Sequence, residues 1–176
     1  MELTTSRLLI RELTLDDAPH VLELLNSEGF INNVGDRGVR SLEQAIEQIE
    51  TRYSADYPNY GLFAVVDKES GDWLGTVSHI SRPFLEFDDI GYALLPEYFG
   101  KGYAYEATEA LVNWAKQKGT PALLGLVDNH NTPSQRLLEK LNFEEVGTTL
   151  MEGETTPILK YLLEPEGSPR IQSIPP

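Results

Sequence analysis

The chain has 176 residues, of which 28 are acidic and 14 basic, so its net charge at pH 7 is −14. This excess of negative charge repels phosphate backbones and anionic headgroups, which argues against nucleic acid and a membrane as partners. The absence of cysteine excludes disulfides and a cysteine nucleophile. With three histidines, no two of them four apart, and no apolar run of about 18 residues, the sequence predicts neither a histidine-based metal site nor a membrane helix.

The N-terminal part predicts one short strand and two helices. A strand over residues 8–12 precedes a helix that Thr14 caps. A second helix begins at the capping box of Ser41 and Gln44. The stretch 29–38 between the two helices contains Gly and Asn, and we predict that it is a loop.

The central part predicts a hairpin and two further strands around a long helix. The hairpin has strands over 62–66 and 74–80, and a strand over 89–95 follows it. A helix from about 103 to 118 then leads to the continuously apolar strand over 122–127, which is typical of a strand buried on both faces. The sheet therefore begins before this helix and continues after it.

The C-terminal part predicts one more helix and two strands. Thr132 is interpreted as the cap of the helix, with Pro133 in its first turn and Gln135 closing a capping box. Strands over 143–150 and 156–163 complete the sheet.

These elements predict a single α/β domain over residues 1–163, with about seven strands and about four helices. Residues 164–176 contain several prolines and no periodicity, so we predict a flexible Pro-rich C-terminal tail.

The turn before the long helix is the most informative motif. It reads Phe99-Gly100-Lys101-Gly102-Tyr103-Ala104, with two glycines where the chain bends and where a ligand can approach its backbone. The first N–H groups of the helix have no intrahelical partner and lie at the positive end of the helix dipole, and Lys101 adds a positive charge. The turn matches neither the dinucleotide nor the P-loop pattern. It predicts a site for a phosphate group.

The same turn resembles the pyrophosphate loop, Gln/Arg-x-x-Gly-x-Gly/Ala, of the GNAT superfamily of acetyl-coenzyme A dependent N-acetyltransferases, with Phe99 in place of Gln or Arg. Three further segments are similar, in the family's order, to its ribosomal-protein N-terminal acetyltransferase branch: Thr5 to Ala18, Gly71 to Val77, and Asn131 to Phe143. In the last segment Asn142 replaces a glycine. The resemblance spans about residues 5–147. It implies a GNAT-type α/β domain whose mixed central sheet has a splayed pair of strands that holds the cofactor.

The resemblance also implies acetyl-coenzyme A as co-substrate, no metal, and a set of cofactor-binding residues. The pyrophosphate would bind the backbone of the glycine turn, contributed by Phe99, Gly100, Lys101, Gly102, Tyr103 and Ala104. The pantetheine arm would enter between the strands at 89–95 and 122–128, hydrogen-bond to the backbone near Leu94, and have its amides held by Asn131. A backbone N–H of residues 93–95 would stabilise the developing oxyanion.

Two proton transfers remain, because the amine must be neutral to attack and the thiolate leaves more easily when protonated. The resemblance places Ser134 near the thioester sulfur, as the catalytic acid and a cofactor contact. Alternatively, Ser134 only satisfies backbone N–H groups in the first helical turn. Tyr161 is the alternative acid. The base is either a water chain or one of four candidates: His79, Glu86, Asp88 and Asp89.

In GNAT folds the link between the first two helices lies beside the acceptor pocket, so Phe30 and Asn33 are predicted to bind substrate, unless the link only connects the helices. We predict acetyl transfer to a primary amine, from a small molecule or a peptide N-terminus, by direct attack through a tetrahedral intermediate. The acidic surface suits a cationic acceptor, although it also favours solubility. The alternative is a catalytically quiet coenzyme A-binding sensor or interaction module on the same fold. We expect a cytoplasmic monomer or homodimer; the sequence leaves the native acceptor and the range of acyl groups open.

Overall fold

A computed structural model describes residues 1–164 of the chain. One mixed sheet contains eight strands: β1 (Glu2–Thr4), β2 (Leu8–Glu12), β3 (Gly61–Asp67), β4 (Trp73–Ile80), β5 (Asp88–Leu94), β6 (Leu123–Val127), β7 (Glu144–Thr149) and β8 (Ile158–Leu163). The α-helices of the described residues are α1 (Ala18–Leu25), α2 (Glu28–Asn33), α3 (Leu42–Gln48), α4 (Tyr103–Gln117) and α5 (Thr132–Lys140). The predicted C-terminal tail lies outside the described residues from position 165 onward.

The strands follow the order β1-β2-β3-β4-β5-β6-β8-β7 across the sheet. Neighbouring strands are antiparallel throughout, except for the parallel pair β5 and β6. A helix, α4, connects these two strands, as a parallel pair requires. Each strand of this parallel pair is followed by a helix: α4 follows β5, and α5 follows β6.

Apolar side chains form a core on each face of the sheet. One core includes the face of α4 that Ala107, Leu111 and Ala115 form, together with Leu138 of α5. These three α4 residues have no measurable exposure. The other core contains residues of α1, α2 and α3. The sheet thus has helices on both sides, and none of the helices within residues 1–164 combines the length and apolar character needed to cross a membrane.

The predicted α/β class is confirmed, but the sequence predicted one strand and one helix too few. The additional strand is β1, which pairs with β2 from Glu2↔Arg11 to Thr4↔Leu9. The additional helix is α2, which occupies part of the stretch 29–38 that was predicted as a loop. Its first turn is capped by the Ser27 hydroxyl, which accepts from the Phe30 N–H at 3.4 Å, and the Phe30 side chain anchors it in the core.

Candidate active site

The parallel strands β5 and β6 separate from one another toward their C-terminal ends. They pair only at Asp88↔Leu123, Asp89↔Leu124 and Ile90↔Gly125. Beyond this point β5 pairs with β4 alone, and β6 pairs with β8 alone. We call the resulting opening, between residues 91–94 of β5 and 126–127 of β6, the cleft. Its position agrees with the splayed strand pair that the family resemblance implies.

Backbone groups of β5 point into the cleft without a strand to receive them. The Leu95 N–H donates to the Leu74 carbonyl on β4, at 2.9 Å. Along a strand, the backbone N–H and C=O groups of successive residues point to alternate sides. Since those of Leu95 face β4, those of Tyr92 and Leu94 point away from β4 and into the cleft. An extended ligand can therefore hydrogen-bond there as an additional strand. Leu94 is one of the predicted cofactor-binding residues.

The glycine turn follows β5 in the chain, after a short 3-10 helix at Pro96–Tyr98. Gly100 and Gly102 have φ angles of +73° and +80°, in the left-handed region that favours glycine. Helix α4 begins at Tyr103, as predicted, and Gly102 at its N-cap offers no side chain to cap it. The first N–H groups of α4 are therefore available to an anion. Of the other turn residues, Lys101 has its ammonium 5.8 Å from the centre of the Tyr98 ring, and Phe99 is 51% exposed.

The side chain of Arg7 also reaches this turn, a contact that was not predicted from the sequence. The guanidinium of Arg7, in the connection between β1 and β2, donates through Nη1 to the Lys101 carbonyl at 2.9 Å. It also lies 4.3 Å over the Tyr103 ring. Arg7 was part of a segment that resembles the family, but no local pattern connects it to a turn 94 residues away.

The start of α5 lies at the opposite side of the cleft. The predicted cap at Thr132 was wrong, because the Asn131 side chain accepts from the Ser134 N–H, at 3.3 Å, and takes that position. The predicted closing of a box by Gln135 was also wrong. Its amide instead donates to the carbonyls of Asp128 and Asn129, at 3.2 and 3.1 Å, and so holds the loop before the helix.

Ser134 is partly buried in the first turn of α5 and lies beside a residue of β5. Burial raises the pKa of Tyr92, and a hydrogen bond with the Ser134 side chain partly opposes this rise. Tyr92 and Leu138, which is one turn along α5 from Ser134, pack against the same core. Helix α5, which carries Ser134, and the Tyr92 side chain therefore lie on the same face of the sheet.

Tyr161, the alternative acid, points to the other end of α5. It is 2% exposed, and its hydroxyl lies 3.5 Å from Glu139 Oε1, a long contact in the last turn of the helix. Burial and the Glu139 carboxylate raise the pKa of Tyr161. Five residues separate Glu139 from Ser134, or about 7.5 Å along the helix axis. The geometry therefore places Ser134 nearer to the cleft than the Tyr161 hydroxyl.

Two candidate bases, the buried His79 and the partly buried Asp88, form a pair away from the glycine turn. His79 Nε2 is 3.0 Å from Asp88 Oδ2. Burial lowers the pKa of His79, although Asp88 opposes this shift. The His79 ring lies edge-on to Trp114, more than ten residues along α4 from its N-terminus. This pair is therefore not adjacent to the predicted phosphate site.

The other two candidate bases are also paired. Asp89 is buried just before the strands separate, and Arg82 Nε donates to it at 2.6 Å. Burial raises the pKa of Asp89, and Arg82 opposes this rise. Glu86 is exposed, and its carboxylate lies 3.7 Å from Lys160 Nζ. The structure brings none of these carboxylates into contact with Ser134, and the identity of the base stays open.

A groove of about 370 Å³ separates α2 from the segment that follows β5. It is lined by Glu28, Gly29, Asn32, Asn33, Pro96 and Phe99. Asn33, a predicted substrate contact, therefore belongs to its wall. Phe30, the other predicted contact, is 9% exposed and packs into the core with α1 and α3. Its role in substrate binding stays a prediction. Because its side chain packs in the core, Phe30 is in a position to anchor α2, which forms one wall of the groove.

Comparison with known proteins identifies the family. The model of the acetyltransferase (GNAT) domain family matches residues 7–144. An uncharacterized N-acetyltransferase, YoaA of Bacillus subtilis (strain 168), is 26% identical over 148 residues, which cover 82% of this chain and 84% of YoaA.

Solved structures show the same fold. A GNAT-family acetyltransferase from Bacillus anthracis has a TM-score of 0.78 at 23% identity, covering 93% of this chain and 98% of that one. RimL, a ribosomal-protein alpha-N-acetyltransferase solved in complex with coenzyme A, has a TM-score of 0.80 at 15% identity, with the same two coverages. The family match over most of the chain, the diverging strands and the open glycine turn together identify this protein as a member of the GNAT family of acetyl-coenzyme A dependent N-acetyltransferases.

Proposed function

We propose that the protein transfers an acetyl group from acetyl-coenzyme A to a primary amine by direct attack through a tetrahedral intermediate. The observation that carries the proposal is the pair of strands β5 and β6, which separate after Ile90 and Gly125, together with the uncapped N-terminus of α4, the helix that connects them. The expected phosphate site and the expected strand-like site thus lie on consecutive parts of the chain. This arrangement suits a ligand that has a pyrophosphate at one end and an extended amide-containing arm at the other.

The residues at the cleft have the groups that such a ligand needs. The backbone N–H groups from Gly102 to Ala104 would receive the pyrophosphate, with Phe99, Gly100, Lys101 and Tyr103 shaping the turn. The free backbone N–H and C=O of Tyr92 and the free C=O of Leu94 would hydrogen-bond to the pantetheine arm. The Asn131 side-chain oxygen already caps α5, so its amide NH₂ is the group that we assign to the pantetheine.

Chemistry in the cleft requires one stabilised oxyanion and one donated proton. The backbone N–H of Leu94 is the group that we assign to the oxyanion, because it is fixed in place by the β4–β5 pairing. Ser134 would donate a proton to the departing thiolate. Tyr161 is a weaker candidate, because its hydroxyl is directed to Glu139.

The acceptor would approach from the groove that Asn33 and Phe99 line. A small-molecule amine and a peptide N-terminus both fit this proposal, and the net charge of −14 favours a cationic acceptor over an anionic one. Because each candidate carboxylate is already paired, we propose that water molecules remove the proton from the amine.

Release of free thiol from acetyl-coenzyme A, measured across a panel of amines and N-terminal peptides, tests the proposed function. We expect amine-dependent release, with the acetylated amine detected by mass spectrometry. The competing proposal is a quiet coenzyme A-binding module, which the apolar Phe99 at the first position of the loop favours. Stabilisation by coenzyme A without turnover on any acceptor would support that alternative.

The assignment of the acid is tested separately, with the same assay. Ser134→Ala is expected to lower kcat by about 100-fold, the lower end for a positioned general acid, with little change in the affinity for acetyl-coenzyme A. Tyr161→Phe is expected to retain turnover. If Tyr161→Phe loses turnover and Ser134→Ala does not, the acid is Tyr161.

A further inference from the structure

We propose that Arg7 is a positioning residue that fixes the glycine turn for the pyrophosphate of acetyl-coenzyme A. This role rests on the proposed function of the turn. It assigns part of the cofactor site to the connection between β1 and β2.

Arg7 connects the turn to the first turns of α4 through several contacts. Its backbone N–H and its Nε donate to the two carboxylate oxygens of Glu106, at 2.8 and 2.7 Å. Its Nη1 donates to the Lys101 carbonyl at 2.9 Å. Its guanidinium carbon lies 4.3 Å over the Tyr103 ring. One planar group thus holds the turn, the first residue of the helix and the helix's first acidic side chain in a single arrangement.

Glu106 is itself held firmly enough to act as an anchor. The Thr5 hydroxyl also donates to its Oε1, at 2.7 Å, and its own N–H donates to the Gly102 carbonyl, at 3.1 Å. Partial burial would raise the pKa of Glu106, but the hydrogen bonds from Thr5 and Arg7 outweigh it and lower the pKa. The carboxylate is therefore ionised at neutral pH and remains bound to the guanidinium.

The contact with the Lys101 carbonyl determines where the next N–H points. In a trans peptide the C=O and N–H groups point in opposite directions. Holding the Lys101 carbonyl toward Arg7 therefore directs the Gly102 N–H away from Arg7 and out of the turn. This N–H is one of those that we assign to the pyrophosphate. A Lys101 carbonyl free to rotate would also be free to present its negative oxygen at the anion site.

Arg7 also supplies positive charge to the turn, whose first position is occupied by the uncharged Phe99. The family's loop begins with Gln or Arg, and Phe99 stands at that position here. Arg7 Nη2 makes no hydrogen bond within residues 1–164, and it lies 3.3 Å from the position that a Cβ on Gly102 would occupy. The Arg7 side chain is 42% exposed, and its charge adds to that of Lys101 near the turn.

The variant Arg7→Lys tests this role, because lysine keeps the charge but cannot hold the Glu106 carboxylate and the Lys101 carbonyl together. We expect the KM and Kd for acetyl-coenzyme A to rise roughly tenfold, with kcat at saturation little changed, as for lost ground-state binding. The matched control is Arg11→Lys. Arg11 also makes a two-pronged contact, with Asp17 at 2.8 and 2.9 Å, but has no contact with the turn.

The outcomes separate positioning from general stability. A wild-type KM and Kd in folded Arg7→Lys would overturn the inference, as would an equal rise of both constants in Arg11→Lys. If Arg7→Lys does not fold, Glu106→Gln provides the second test, with a smaller rise of the same constants expected and no rise overturning the inference. A wild-type protein that gains no thermal stability from coenzyme A would instead refute the proposed function, and this role with it.

Discussion

A negative charge at Gly102 is expected to abolish most of the binding of acetyl-coenzyme A. Gly102 is the N-cap of α4 and has a φ of +80°. Asp is among the residues that tolerate this region best, so Gly102→Asp is expected to fold. Its carboxylate would stand where the first N–H groups of the helix meet the pyrophosphate.

The size of the effect follows from the distances at the turn. A carboxylate about 5 Å from one phosphate charge is repelled by about 3 kcal/mol at an effective dielectric constant of about 20. The Cβ of the substituted residue would lie 3.3 Å from Arg7 Nη2, so pairing with Arg7 offsets part of this repulsion. We therefore expect the net loss of affinity to be about 100-fold, which corresponds to about 2.8 kcal/mol.

Thermal unfolding with and without acetyl-coenzyme A measures the loss. At a ligand concentration of about 100 Kd the wild type gains about 2.7 kcal/mol, which raises the Tm of a chain of this size by about 5–10 °C. At the same concentration Gly102→Asp would gain only about 0.4 kcal/mol, or about 1 °C.

The matched control is Gly71→Asp. Gly71 lies in the turn between β3 and β4, has a φ of +79°, and has open space around its Cβ position, so the backbone cost is similar. We expect this variant to keep the full stabilisation by acetyl-coenzyme A. A folded Gly102→Asp protein that is stabilised as much as Gly71→Asp would refute the assignment of the phosphate to this turn.

Three further predictions concern stability and substrate charge. Burial lowers the pKa of His79. The neutral form of His79 therefore contributes its full stability above the unfolded-state pKa of about 6.5, and this contribution is lost as the pH falls through the lower folded-state pKa. Melting curves from about pH 8 to about pH 5 should depend less on pH for His79→Gln than for the exposed control His130→Gln; equal pH dependence would contradict this reasoning. Gly75→Ala would place a Cβ 2.1 Å from the Ala93 carbonyl oxygen. Urea unfolding should therefore show a loss of unfolding free energy at or beyond the upper end of the roughly 1–3 kcal/mol that overpacking costs. A negligible loss would mean that β4 and β5 separate easily. For a cationic acceptor kcat/KM should fall as salt rises past about 0.1 M, where the Debye length is about 10 Å, and an uncharged analogue should respond little; the same response from both would remove any steering role for the negative charge.

The elements with strong periodicity could be predicted from the sequence, whereas α2 could not. The long helix α4 has a clear apolar face and begins after two glycines, so both its existence and its first residue, Tyr103, were predictable. Helix α2 has six residues, including Gly29 and two asparagines, which are poor helix formers. It exists because Phe30 packs into the core, and tertiary packing of that kind has no local signal.

The same distinction applies to the site. The glycine turn is a continuous motif, and its geometry depends on Gly100 and Gly102, whose positive φ angles other residues rarely adopt. Ser134 could likewise be identified from a continuous segment, Asn131 to Phe143, that resembles the family. The contribution of Arg7 depends on the position of the β1–β2 connection beside α4, and its partner Glu106 is 99 residues away in the chain. Contacts of this range become visible only once the sheet and its helices are in place.

The most direct test of the account is the fate of the acetyl group itself. The protein is incubated with acetyl-coenzyme A that carries an isotope label in the acetyl group, with and without an accepting amine, and the intact protein and the small molecules are analysed by mass spectrometry. Direct attack in the cleft predicts label on the amine, an equal amount of free thiol, and no label on the protein in either sample. Stable label on the protein in the absence of the amine, or binding without transfer to any acceptor in the panel, would contradict the account.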